Sequence, residues 1–126
     1  MTVHQPDVDV VTRTLLAVER RQAEALMTLY HPRIEFHWPP GLPYSGTFKG
    51  RQVQEMSRLF AEVWEPLQPT EETRRLDFCI VATGDEGRVV ARYTWKALAP
   101  GGQRFETPTL AEYRVRDGRL ASATMY

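Results

Sequence analysis

The sequence predicts an α+β fold in which helices come first and a curved, mainly antiparallel sheet follows. Two patterns carry this reading. Apolar residues recur with helical spacing as far as Trp64, and beyond Thr70 they alternate with the period of a strand, interrupted by turn signals. A third observation bounds it. With 126 residues, 42% of them apolar and 25% charged, the chain can bury one core and is too short for two ordinary domains, so residues 1–126 read as a single domain.

From Asp7 onward, Val8, Val11, Leu15 and Val18 share one helical face. After the polar run Glu19-Arg20-Arg21-Gln22 the spacing resumes at Ala23, Leu26, Met27 and Tyr30, so two consecutive helices are expected. Pro32 ends the second, because its ring disfavours a helical conformation at His31. Ile34, Phe36 and Trp38 then alternate with Glu35 and His37 in a short strand. Pro39 to Gly46 is dense in Pro and Gly and reads as an ordered loop. Gly50 to Trp64 reads as a third helix with Val53, Met56, Phe60, Val63 and Trp64 as its apolar stripe, stopped by Pro66. Everything after Thr70 reads as strand. Leu76, Phe78 and Ile80 alternate, Asp85-Glu86-Gly87 turns the chain, and long strands span Arg88 to Leu98 and Arg104 to Arg116 about a Pro100-Gly101-Gly102 turn. Asp117-Gly118 is a hairpin turn before a last strand from Leu120 to Tyr126.

A Pro100-Gly101-Gly102 turn that pairs Ala97 with Phe105 sets the register of the two long strands. Trp95 then faces Thr107, Tyr93 faces Thr109, Ala91 faces Ala111 and Val89 faces Tyr113. This face sets large rings among small residues, and it reads either as filled core or as the wall of a pocket. The hydroxyls of Tyr93, Thr107, Thr109 and Tyr113 favour a pocket, since buried hydroxyls need partners. Trp38, Phe60 and Met125 are expected at the same concavity. The opposite face sets Val90, Arg92, Thr94 and Lys96 against Glu106, Pro108, Leu110, Glu112 and Arg114, with Lys96 opposite Glu106. Such a mixed surface suits solvent or a second copy of the chain, and a homodimer through the sheet is expected.

Sixteen basic residues balance sixteen acidic ones, so no net field draws nucleic acid or an anionic membrane. The pairs Arg20-Arg21 and Arg74-Arg75 sit among Glu residues and read as solvated element ends. Cys79 is the only cysteine, which excludes an intrachain disulfide and points to a reducing compartment. The N-terminal residues lack the basic start and apolar run of a signal peptide, and no stretch approaches the ~20 apolar residues of a membrane span, so a cytoplasmic location is expected.

Few residues can do chemistry at the expected pocket. His37, beside Trp38, is the candidate base, because an imidazole exchanges protons near neutral pH. Strand alternation sets it opposite Trp38, and the competing reading is a strand-end histidine bonded to the neighbouring loop. Tyr44 and Tyr113 are candidate donors to a developing enolate, Tyr44 reading equally as a loop anchor. His4, His31 and His37 share no metal-ligand spacing, and no phosphate loop, nucleophile elbow or dinucleotide fingerprint occurs, so neither metal nor cofactor is expected.

Several local patterns in order resemble the SnoaL-like and ketosteroid isomerase superfamily, whose fold is also that of nuclear transport factor two. They are Leu29-Tyr30-His31-Pro32 leading into Ile34-Glu35-Phe36, then Tyr44-Ser45-Gly46 and Gly50-Arg51, then Glu112-Tyr113-Arg114-Val115-Arg116-Asp117-Gly118-Arg119-Leu120. The resemblance implies a cone-shaped α+β barrel, three N-terminal helices on a strongly curved sheet, around a hydrophobic cavity. In enzymatic members it implies cofactor-free proton transfer on steroids, polyketides or epoxides. Steroid isomerases carry a carboxylate base where this chain has Trp38, a protonated acid where it has Ala111, and a phenol where it has Thr14. None of the three can play that part, so the usual two-acid steroid isomerisation is not expected. Two readings of function remain. One is a cofactor-free isomerase, cyclase or hydrolyase acting on an apolar, polyketide- or terpenoid-like carbonyl compound. The other is a non-catalytic module that holds a hydrophobic small molecule or docks a protein.

Overall fold

The first helix, α1 (Gln5–Glu19), carries Pro6 in its opening turn, where a missing N–H leaves no bond unmade, and buries Val10, Val11, Thr14, Leu15 and Ala17. The computed structural model describes residues 4–126. Helix α1 ends in a tight reversal, with the Gln22 N–H on the Ala17 carbonyl at 2.9 Å and the Arg21 N–H on that of Val18 at 3.2 Å. Helix α2 (Ala23–Leu29) follows and runs directly into β1 (Tyr30–Trp38). After the Pro/Gly loop come β2 (Gly46–Lys49), α3 (Gln52–Trp64), a 3₁₀ turn (Glu65–Leu67) and α4 (Glu71–Arg74). The strands β3 (Cys79–Thr83), β4 (Arg88–Leu98), β5 (Arg104–Arg116) and β6 (Arg119–Met125) complete the chain.

All six strands belong to one sheet of order β2-β1-β6-β5-β4-β3. The β1–β6 pair is parallel and the others are antiparallel. The sheet does not close on itself: β2 and β3 remain edges, so the cone is completed by helices rather than by strand pairing. Register breaks between Tyr30 and Glu35, Ile80 and Ala82, and Arg114 and Val115 supply bends that wrap one face around the helices. That inner face buries Phe36, Val89, Ala91, Tyr93, Trp95, Ala111, Tyr113, Ala123 and Met125. The five pairs from Ala97 opposite Phe105 to Val89 opposite Tyr113 form as the turn predicts.

Some elements differ from the sequence reading. The stretch Leu76–Phe78 is not strand, because Asp77 adopts φ 49 and interrupts the extended backbone. The segment after Thr70 opens with α4, whose capping box joins the side chains of Thr70 and Thr73 to each other's backbone N–H. The edge strand β2, which pairs His37 with Thr47, was not anticipated, and α3 begins at Gln52 rather than Gly50. Lys96 stands opposite Glu106 in register, yet its ammonium pairs with Asp77.

Candidate functional site: an apolar cavity with a phenol pair and a rim arginine

Helices α1, α2 and α3 and strands β1, β4, β5 and β6 enclose a cavity of about 220 Å³. Phe36, Trp38, Phe60, Tyr93, Trp95 and Tyr113 form its aromatic walls, and Leu15, Val18, Leu76, Leu120 and Met125 its aliphatic ones. The exposed lining residues are Ala23, Ser57 and Glu65, with Arg21 and Leu26 half-buried beside them. The cavity therefore opens between α2 and the C-terminal end of α3.

The Pro/Gly loop is not the mouth. Tyr44 is 2% exposed, its ring lies 4.8 Å from Trp38 and 5.3 Å from Phe60, and its hydroxyl accepts a 2.7 Å hydrogen bond from Trp64 Nε1. It anchors the loop behind the aromatic wall and is not among the residues that line the cavity. Trp38 is fixed as well, donating from Nε1 to the Met56 sulfur at 2.9 Å.

Deeper in, Tyr93 and Tyr113 are 3% and 4% exposed and stand on adjacent strands. Burial pushes both phenols above the ordinary tyrosine value. The nearness of Tyr113 offsets part of that rise for Tyr93, and the charge of Tyr93 adds to it for Tyr113. The neighbouring Tyr30 phenol, also at the cavity, is raised by burial alone. Among the described residues no fully buried side-chain nitrogen or oxygen lacks a partner. Tyr93 and Tyr113 both line the cavity, where a phenol hydroxyl can donate to an oxygen placed within it.

At the rim, Arg21 and Arg74 overturn the reading of the Arg pairs as solvated ends. Both are half-buried, whereas Arg20 and Arg75 are exposed. The Arg21 guanidinium donates to Gln68 Oε1. Gln68 is itself 2% exposed, donates from Nε2 to the Lys96 carbonyl at 2.9 Å, and accepts from Arg74 Nε at 3.1 Å through its own carbonyl. Burial, then the charge of Arg74, draws the Arg21 pKa down against the opposing pull of Glu65.

His37 does not reach the cavity. It lies on the outer sheet face, sharing a 2.9 Å hydrogen bond with Thr47 Oγ1, with Glu35 4.0 Å away. The alternation of β1 decides this: Trp38 points in, so its neighbour points out. Thr107 is exposed, since β6 pairs with β5 only from Ala111 onward and leaves the start of β5 beyond the cavity. Thr109 and Ala111 are buried in the sheet without lining the cavity. Thr14 does line it, its hydroxyl donating to the Val10 carbonyl at 2.8 Å. Arg21, Glu65, Gln68 and Tyr30 were missed. The one available signal was a helix that ends in Arg-Gln with no Gly or Asn to take the left-handed turn. No group of three or more His, Cys, Asp or Glu among the described residues is placed to hold a metal ion, and no helix among them is long and apolar enough to cross a membrane.

Helices and a curved open sheet wrapped about an apolar cavity define a class of small α+β domains. The SnoaL-like domain model matches residues 11–123, and the chain belongs to that family. Among solved structures, TerC co-crystallized with polyporic acid superposes with a TM-score of 0.77 at 20% identity, over 96% of this chain and 90% of that one. A Xanthomonas campestris pv. campestris protein provisionally assigned as a polyketide cyclase gives 0.70 at 23% identity, over 99% and 92%. An NTF2-like protein of Burkholderia pseudomallei gives 0.72 at 18% identity, over 100% and 91%. No curated protein matches the sequence.

Proposed function

We propose that this protein takes a small, largely apolar carbonyl compound, polyketide- or terpenoid-like in character, into its cavity and acts on it without a cofactor as an isomerase, cyclase or hydrolyase. One observation carries the reading: two buried phenols, Tyr93 and Tyr113, line a largely apolar aromatic cavity from adjacent strands. A phenol in such a place donates to a carbonyl oxygen more strongly as that oxygen becomes an enolate, and water is largely excluded from competing. The ligand classes named for two structural relatives, polyporic acid and polyketides, agree with it.

The second reading, a module that binds such a molecule without turnover, is favoured by the cavity's ionisable groups. Among the described residues no imidazole lines it, and the one carboxylate that does, Glu65, is exposed at the rim. A single experiment separates the two. 2-Acetonaphthone is titrated against tryptophan fluorescence, and exchange of its methyl protons for deuterium is followed by NMR. Protein-dependent exchange that falls about tenfold or more in Tyr93→Phe, with folding unchanged, supports the enzyme. Saturable quenching without exchange above background supports the binder. Absence of both overturns the cavity reading.

A further inference from the structure

We infer that Arg21 anchors an anionic head group, so that the ligand is an amphiphilic acid: an apolar body in the aromatic cavity with a carboxylate or other ionised oxygen at the mouth. This deepens the reading above and rests on it for the apolar body.

The backbone comes first. Gln22 N–H to the Ala17 carbonyl and Arg21 N–H to the Val18 carbonyl form the two bonds of a Schellman helix end, with Arg21 at the left-handed position, φ 55. Glycine is usual there, because a Cβ crowds the carbonyl in that conformation. An arginine gives up that ease of folding, and its side chain lines the cavity mouth.

The guanidinium is also held in place. It donates to the buried Gln68, which the Lys96 carbonyl and Arg74 fix from two further sides. That bond uses one of its five N–H groups, and no other hydrogen bond between described residues engages the guanidinium. Its remaining donors make no hydrogen bond or ion pair with a carboxylate among the described residues.

Electrostatics point the same way. Arg21 and Arg74 put two cations against Glu65, and none of the ion pairs among the described residues includes either arginine. The carboxylates of α3, Glu55 and Glu62, are both taken by Arg58. Glu65 is exposed and free to turn into water as an anion enters. A half-buried guanidinium with free donors binds a carboxylate through paired, charge-assisted hydrogen bonds.

The test compares 2-naphthoate with 2-acetonaphthone, which share one ring system and differ in charge. Both are titrated by tryptophan fluorescence into wild type, Arg21→Gln and Arg21→Gly. Loss of a charge-assisted contact should weaken 2-naphthoate about tenfold to a hundredfold in both variants, while the ketone changes less than twofold. In Arg21→Gly the ease of the left-handed turn for glycine offsets the hydrogen bond lost to Gln68, so the melting temperature should stay within about 5 °C of wild type. Naphthoate affinity unchanged in both variants overturns the anchor, as does an equal loss for both probes, which marks a merely structural arginine. Ketone binding with naphthoate indifferent to Arg21 overturns the anchor alone. Failure of both probes to bind wild type overturns the cavity reading with it.

Discussion

Raising the pH above 10 should unfold this protein through its buried phenols. Four of its five tyrosines, Tyr30, Tyr44, Tyr93 and Tyr113, have pKa values raised by burial. In the unfolded chain a tyrosine ionises near pH 10, so above that pH the unfolded state gives up protons that the folded state keeps. The stabilisation is complete below pH ~10 and is lost as pH rises beyond it. Each buried phenol costs about 1.4 kcal/mol per pH unit in that range. Tyr30, Tyr93 and Tyr113, raised most, together cost roughly 4 kcal/mol by pH 11, against a typical total stability of about 5–15 kcal/mol. Phenolate absorbance and far-ultraviolet circular dichroism, read on one sample during an alkaline titration, provide the assay. At most one-fifth of the phenolate signal should appear before helicity is lost, and the rest should rise with unfolding. Tyr113→Phe should remove about a third of the pH slope. Ionisation of four or five phenols near pH 10 with the dichroism intact would refute the burial argument.

Gly87 has φ +75, and a Cβ there would stand 2.1 Å from the Val115 carbonyl oxygen, so Gly87→Ala should cost about 3 kcal/mol and lower the melting temperature by roughly 10 °C. Gly84→Ala, whose nearest neighbour is the Arg88 Cβ at 3.7 Å, is the control and should cost under about 1 kcal/mol. The homodimer expected through the outer sheet face, where Leu110 is exposed near Val90 and Thr94, should give twice the chain mass in light scattering at about tens of micromolar; a monomer mass removes it.

The register of β4 and β5 was legible because a short turn leaves little freedom in pairing. Ala99 N–H reaches the Gln103 carbonyl at 2.8 Å and Gly102 N–H the Ala99 carbonyl at 2.9 Å, and every pair beyond follows from strand geometry. Which rings share a face is a local property, so Tyr93, Trp95 and Tyr113 could be placed together from alternation alone. How far that face is covered is not local. Thr107 has the right parity, and it is exposed only because β6 stops pairing at Ala111, which depends on where the chain returns. The short β2 and α4 escaped for a related reason, since four-residue elements carry too few residues to show a period.

The polar equipment of the site lies further still from anything periodicity can show. Arg21 and Arg74 stand in pairs with solvated neighbours, in a chain whose charges balance, and only the contact between Arg21 and Gln68, 47 residues apart, separates a buried cation from an exposed one. Tertiary geometry rather than composition therefore sets the local field, and overall neutrality excludes a long-range attraction without excluding a single unpaired charge at a cavity mouth. His37 shows the converse. It is the residue type best suited to proton transfer, set one position along the strand from the cavity wall, and that one position turns its ring to the other side of the sheet. Chemical aptitude singled out the imidazole, and strand parity outweighs it. In a cavity walled by a sheet, a polar side chain reaches the interior only at an inward strand position, as Tyr93 and Tyr113 do, or from a helix or helix end, as Arg21 does.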